Sequence, residues 1–225
     1  MHNRWFVGLP ALTGAVFAVV GFVRGGGDDS APTASSSGET IAAYAFHHQI
    51  AGPMYQVELW AFLALMVFSI VLYSRLRAAE PAGAVAAKVV VAACVVSVAI
   101  KLASFPAVYA LYSSGSQLGP DVARSLWALG DFAFVVSMLV QALSIGAVAA
   151  SGLLYGGVPR WLAGTAGVIA VALVVGFVIG GNAQIAPTLA WMAWLLVASI
   201  ALYVQTPRFV SELRRTQAAL SHGTA

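Results

Sequence analysis

Three charged side chains sit where an apolar chain tolerates them least, and their types and spacing set the chemistry open to this sequence. Lys101 lies deep in the apolar run 86–112, whose other charge, Lys88, is near its start. Asp131 is the sole charge between Leu126 and Ala150, and Glu58 stands in the first turn of the run 55–74. An ionised group at the centre of a membrane-spanning helix costs roughly 2.5–3.5 kcal/mol on insertion scales, so such residues turn toward the interior of a bundle and pair with one another. Counted along helices, Lys101 lies roughly 16 Å from the outer end of its run, Asp131 roughly 9 Å and Glu58 roughly 5 Å. A lysine stem extends toward that side, within reach of both carboxylates.

Lys101 pairing elsewhere is one reading, and two chemistries engage the three residues themselves. In one, Lys101 and Asp131 form an ion pair that fixes the register of two neighbouring spans, and Glu58 is an interfacial residue. In the other, all three line a polar pocket open to the outside that binds a ligand or a proton. Their formal sum is −1, which a bound cation, a proton or water access would relieve in a low-dielectric site.

The remaining polar residues are secondary candidates. His47 and His48 are adjacent, so on a helix they point about 100° apart and do not serve one metal from one face. With Asn182 and Gln184 they belong to the outer loops above the charged group. Gln141 and Ser144 are neighbours at i, i+3 on one helix face. No histidine lies inside a span, which excludes a haem held by facing intramembrane histidines. The lone Cys94 excludes a disulfide within the chain and any multi-cysteine metal site. There is no nucleotide-binding glycine motif, HExxH or serine nucleophile motif. No metal, cofactor or nucleic-acid partner is therefore expected, and an enzyme is the least favoured class.

The elements that must position these residues are helices in lipid. The 225 residues are 60% hydrophobic and 8% charged, with mean hydropathy +0.89. A soluble domain carries about 25% charged residues, so the composition itself places the chain in a membrane. Six runs are long enough to cross about 30 Å of hydrocarbon as helix. They are 5–23, 55–74, 86–112, 125–150, 161–181 and 187–205, one all-α, single-domain bundle. The first reads as an anchor, since Phe22-Val23-Arg24 is a poor cleavage context. With six spans, Arg4, Arg75, Arg77, Lys88, Arg160, Arg208, Arg214 and Arg215 share one side, and only Arg24 and Arg124 lie on the other. That bias places both termini in the cytoplasm.

Local signals fill in the rest. Residues 25–40 are rich in Gly and Ser and read as a flexible outer loop. Glu39 to Ile50 has helical spacing and reads as a short surface helix ended by Gly52-Pro53. Pro106 bends the third span just beyond Lys101. Ala172, Gly176 and Gly180 form a small-residue stripe that admits a neighbouring helix. Thr206-Pro207 reads as the start of a separate amphipathic helix lying on cytoplasmic lipid over 206–225, with a frayed basic tail as the equal alternative.

Three stretches carry a resemblance: Lys101-Leu-Ala-Ser-Phe-Pro106, Leu126-Trp-Ala-Leu-Gly-Asp131-Phe-Ala-Phe and Gly157-Val-Pro-Arg-Trp161. Together they resemble a group of bacterial, largely actinobacterial, polytopic membrane proteins known only as a domain of unknown function. The resemblance covers about residues 95–175 and implies some six helices in a bacterial cytoplasmic membrane, with no activity attached. The expected role is a non-enzymatic binding or accessory protein. Its partners are the bilayer, a small or amphipathic ligand from the outer face, or another membrane protein. A proton- or ion-coupled transporter is the alternative, and a membrane enzyme or redox subunit a further one.

Overall fold

The computed structural model describes residues 6–25, 31–33, 35–48, 51–77, 83–114 and 117–222, with backbone alone for 6–7, 24–25, 51–55 and 207–222. Every regular element among them is helical. A 3-10 helix, Phe6–Leu12, carries Pro10 and leads into α1, Thr13–Gly25. Then follow α2, Gly38–His47; α3, Ala51–Arg77; α4, Gly83–Ser114; α5, Pro120–Leu154; α6, Arg160–Ile179; and α7, Ile185–His222. The helical parts Gln56–Arg77, Gly83–Ser114, Pro120–Leu154, Arg160–Ile179 and Gly181–Thr206 are each long and apolar enough to cross a membrane. Gly8–Val23 is a shorter apolar helix.

Burial runs in the sense expected of a bundle in lipid. Val168, Val178, Trp60 and Phe132 are 67–76% exposed on the outside. Large apolar residues spread over an outer surface in this way are paid for only by an apolar solvent. Phe68, Leu72 and Leu76 of α3, Val90 and Val98 of α4, and Trp191 and Leu202 of α7 form the interior.

Helix contacts close a ring in the order α1, α3, α4, α5, α6, α7 and back to α1. Small residues let α1 enter it. Ala11, Gly14, Ala18 and Gly21 recur at intervals of three and four, which keeps them on one face. A methyl group added at Gly14 would stand 2.5 Å from Ser199 Oγ and 2.8 Å from the Phe68 ring, and one at Gly21 would stand 2.8 Å from Met192 Sδ. Side-chain bonds to backbone tie the other helices. Ser97 Oγ donates to Ser137 O (3.1 Å), Ser144 Oγ to Val90 O (3.2 Å) and Trp194 Nε1 to Leu162 O (3.1 Å). Bonds of this kind average about 0.6 kcal/mol in membrane bundles, so they hold register more than they supply stability.

The two ends of the ring differ. At one, α2 lies across α4 and α5, with Ile41 and Ala45 packed on Leu111, Tyr112 and Ala123. Ser37 caps α2, its Oγ accepting from Thr40 N at 3.2 Å. Gly38 is obligatory there, because a methyl group would run into the Pro120 carbonyl. At the opposite end Arg75 is buried, its Nη2 donating to Thr206 Oγ1 (2.9 Å) and Leu202 O (3.3 Å). Gly157, at φ +89°, brings the α5–α6 turn against the Arg75 backbone.

Several expectations change. Gly52-Pro53 does not end a helix; α2 stops at His47, and Pro53 sits in the first turn of α3, where its missing N–H needs no partner. Residues 25–40 are not all loop: Gly38 to Thr40 belong to α2 and Pro32 is buried. Residues 26–30 and 34 lie outside the described residues. The tail is no separate helix, since α7 runs unbroken through Thr206-Pro207 to His222. The amphipathic face expected over 206–225 falls on side chains beyond Thr206, outside those described.

Candidate functional site

The ring encloses a cavity of about 720 Å³ at the end that carries α2. Helices α1, α3, α4, α5 and α7 line it, together with Pro32, Thr33 and Ser35 from the segment before α2. Glu58, Lys101 and Asp131 are its charged lining residues. A second cavity of about 180 Å³ lies toward the end of α4, among Ser104, Phe105, Val108 and Tyr112. Glu58, Lys101, Trp127 and Asp131 line both, so these four form a shared wall.

Helix geometry explains why three distant residues converge. Chain direction alternates along α3, α4 and α5, so the start of α3, the second half of α4 and the first third of α5 fall at one level. Lys101 is partly buried, with Nζ 5.0 Å from the centroid of Phe134, a cation on a ring face. Phe134 follows Asp131 by about one turn of α5. Asp131 is exposed and Glu58 partly buried. The structure thus brings the three together around one cavity.

The floor of the cavity is aromatic. Trp191 meets Phe17 edge-on at 5.3 Å and Phe17 lies 5.5 Å from Phe62, which in turn meets Phe105 of the second cavity at 6.4 Å. This row crosses from α7 through α1 and α3 to α4. Met138 and Met192 complete the apolar lining.

One wall is polar and unsatisfied. Gln184 is 6% exposed and Thr188 5% exposed, and both line the cavity. Gln184 Oε1 and Nε2 and Thr188 Oγ1 have no hydrogen-bond partner among the described residues. A buried polar group left unpaired costs about 1–3 kcal/mol, and native proteins normally occupy such groups with solvent or ligand. Glycines place this wall. Gly180 (φ +76°) and Gly181 (φ +56°) turn the chain out of α6 into the 3-10 helix Gly181–Gln184. Gly176 has no side chain to keep away the Ala183–Gln184 backbone; a methyl there would meet Ala183 O at 2.9 Å. Part of the small-residue stripe on α6 therefore serves this turn.

The secondary candidates separate. Asn182 lines the cavity and is exposed. Gln141 is buried one turn below Met138, outside the cavity lining, with Nε2 unpaired among the described residues. His47 is exposed beside Phe46. His48 ends α2 with Nδ1 2.8 Å from Tyr44 O and its ring stacked on Tyr44 at 4.0 Å. Tyr44 in turn meets Trp127 edge-on at 6.0 Å, which connects α2 to the shared wall. Among the described residues no three His, Cys, Asp or Glu side chains converge as a metal site would require. The aromatic floor and Thr188 escaped the sequence reading, because such residues in an apolar run look like ordinary packing. Compared with family models, curated proteins and solved structures, the chain matches none of them.

Proposed function

We propose that this chain is a binding protein of a bacterial cytoplasmic membrane that holds a small amphipathic ligand in a cavity opening on the outer side. The observation that carries this reading is the convergence of Glu58, Lys101 and Asp131 from three helices on a cavity of about 720 Å³. That volume falls in the range of about 300–1,000 Å³ usual for small-molecule sites. A coupled transporter would need polar groups continuing through the bundle. Below Met138 the interior is mainly apolar, with Leu65, Phe68, Leu72, Ile145 and Val148, and the buried Ser69, Ser144 and Ser199 give their hydroxyls to backbone carbonyls. Gln141 interrupts it with an amide nitrogen unpaired among the described residues. Such an interior favours binding over passage.

Six spans with both termini cytoplasmic is the topology that accompanies this reading. The 3-10 helix before α1 rises about 2.0 Å per residue and α1 about 1.5 Å. Phe6 to Gly25 therefore extends about 33 Å, enough for a hydrocarbon core of about 30 Å. The charge bias then sets the cavity outside. A reporter fused after Ala225 is expected to be cytoplasmic and one inserted at Ser36 external; an internal Ser36 would reverse the orientation.

The binding reading is tested by mass spectrometry of organic extracts from protein purified in nanodiscs. The wild-type chain is compared with Val135→Trp, which fills the cavity from a partly exposed lining position. A small molecule retained by the first and depleted in the second, at equal monodispersity, is the expected result. Identical extracts would remove the binding reading.

A further inference from the structure

The geometry points to a hydrophobic organic cation, an amine or quaternary ammonium on an apolar body, as the ligand of this cavity. The inference rests on the binding reading and specifies its ligand class. Charge comes first. The lining carries two carboxylates, Glu58 and Asp131, against one ammonium, Lys101. Whatever internal contacts Glu58 and Lys101 make, the formal sum of the lining stays −1. Low-dielectric surroundings amplify that imbalance, so a cation entering the cavity is favoured and an anion opposed.

Shape and chemistry of the walls agree. Phe17, Phe62, Trp127, Phe134 and Trp191 all line the space. Aromatic faces attract cations electrostatically, and quaternary ammonium groups are commonly held by such rings. Lys101 Nζ over Phe134 is an internal example of the same contact. Nearby, Gln184 Oε1 and Thr188 Oγ1 are acceptors without a partner among the described residues. An amine N–H can satisfy these oxygens, while Gln184 Nε2 and the Thr188 hydroxyl can also donate to a ligand oxygen, so this wall supplies polarity and the carboxylates and aromatic faces set the sign of the charge. Met138 and Met192 supply adaptable walls for the apolar body.

The test uses two ions of one shape and opposite charge, tetraphenylphosphonium and tetraphenylborate. Saturable binding of each to the purified full-length chain is measured in detergent by equilibrium dialysis. Tetraphenylphosphonium is expected to bind at one site and tetraphenylborate to show only non-saturable micelle partitioning. Asp131→Asn is expected to weaken tetraphenylphosphonium binding about tenfold or more, since it removes a unit charge from the wall. Asp131 is exposed, so this variant should elute as the wild type does. If it does not, the comparison of the two ions on the wild-type chain decides alone. Preference for tetraphenylborate, saturable binding of neither ion, or an affinity unchanged in a well-folded Asp131→Asn would each overturn the cation assignment. The cavity reading would survive those outcomes if the Val135→Trp extracts still differ, which keeps the two failures distinct.

Discussion

Gly14→Ala is expected to lower the thermal midpoint of the detergent-solubilised protein, although alanine is the better helix former. The two effects have opposite signs. Replacing a helical glycine gains up to about 1 kcal/mol from backbone entropy. Overpacking a filled interface costs about 1–3 kcal/mol. At Gly14 the added methyl meets Ser199 Oγ and the Phe68 ring at once, and Phe68 is itself fully buried, so neither neighbour has free space behind it. Packing therefore wins. Gly164→Ala in α6 is the control, because nothing lies within 4 Å of the added methyl group. It should leave the midpoint unchanged or raise it. Measured by intrinsic tryptophan fluorescence, a higher midpoint for Gly14→Ala would show that α1 is not seated through this seam.

Lys101→Met is expected to be the most damaging single change in the charged group. It leaves the lining with a formal charge of −2 and takes a partly buried cation from the Phe134 face. Breaking a buried charge interaction costs about 3–5 kcal/mol, a figure reduced here because the site adjoins an open cavity. Asp131→Asn acts on an exposed carboxylate and should cost no more than about 1 kcal/mol. The double variant should be less damaged than the sum of the two, because removing Asp131 lowers the negative excess that Lys101→Met creates. Unfolding in a denaturant series closes the cycle. Strict additivity would mean that the two residues do not sense each other across the shared wall.

Much of this arrangement could be read from residue types, and the exceptions have physical causes. Apolar runs of about twenty residues are an unambiguous signal, so the helices α3 to α7 follow from composition and length alone. The charges Glu58, Lys101 and Asp131 stood out because lipid penalises them, and alternating chain direction was enough to place them at one level. Helix ends were less legible. Gly52-Pro53 looked like a stop, yet proline is as acceptable in the first turn of a helix as after its end. Thr206-Pro207 looked like a start, yet Thr206 is inside α7, returning its hydroxyl to Leu202 O and accepting from Arg75. The cavity itself had no signature. An aromatic residue that lines a space and one that fills it look alike in sequence, and only packing separates Phe17 or Trp191 from Phe68. The glycine seam of α1 was equally silent, because Gly and Ala are common throughout these runs.

Closure of the ring by α1 against α7 has a consequence for how the protein is made. The seam joins Gly14 to Ser199 and Gly21 to Met192, so α1 packs against a helix that is made after α3, α4, α5 and α6. Synthesis advances at about 5–20 residues per second, so α1 waits on the order of ten seconds or more for that partner. During that interval its small-residue face lacks the α7 partner, with α3 its earliest available neighbour. Nascent chains halted before α7 therefore carry five of the ring helices and no finished cavity, because Thr188 and Trp191 arrive with α7.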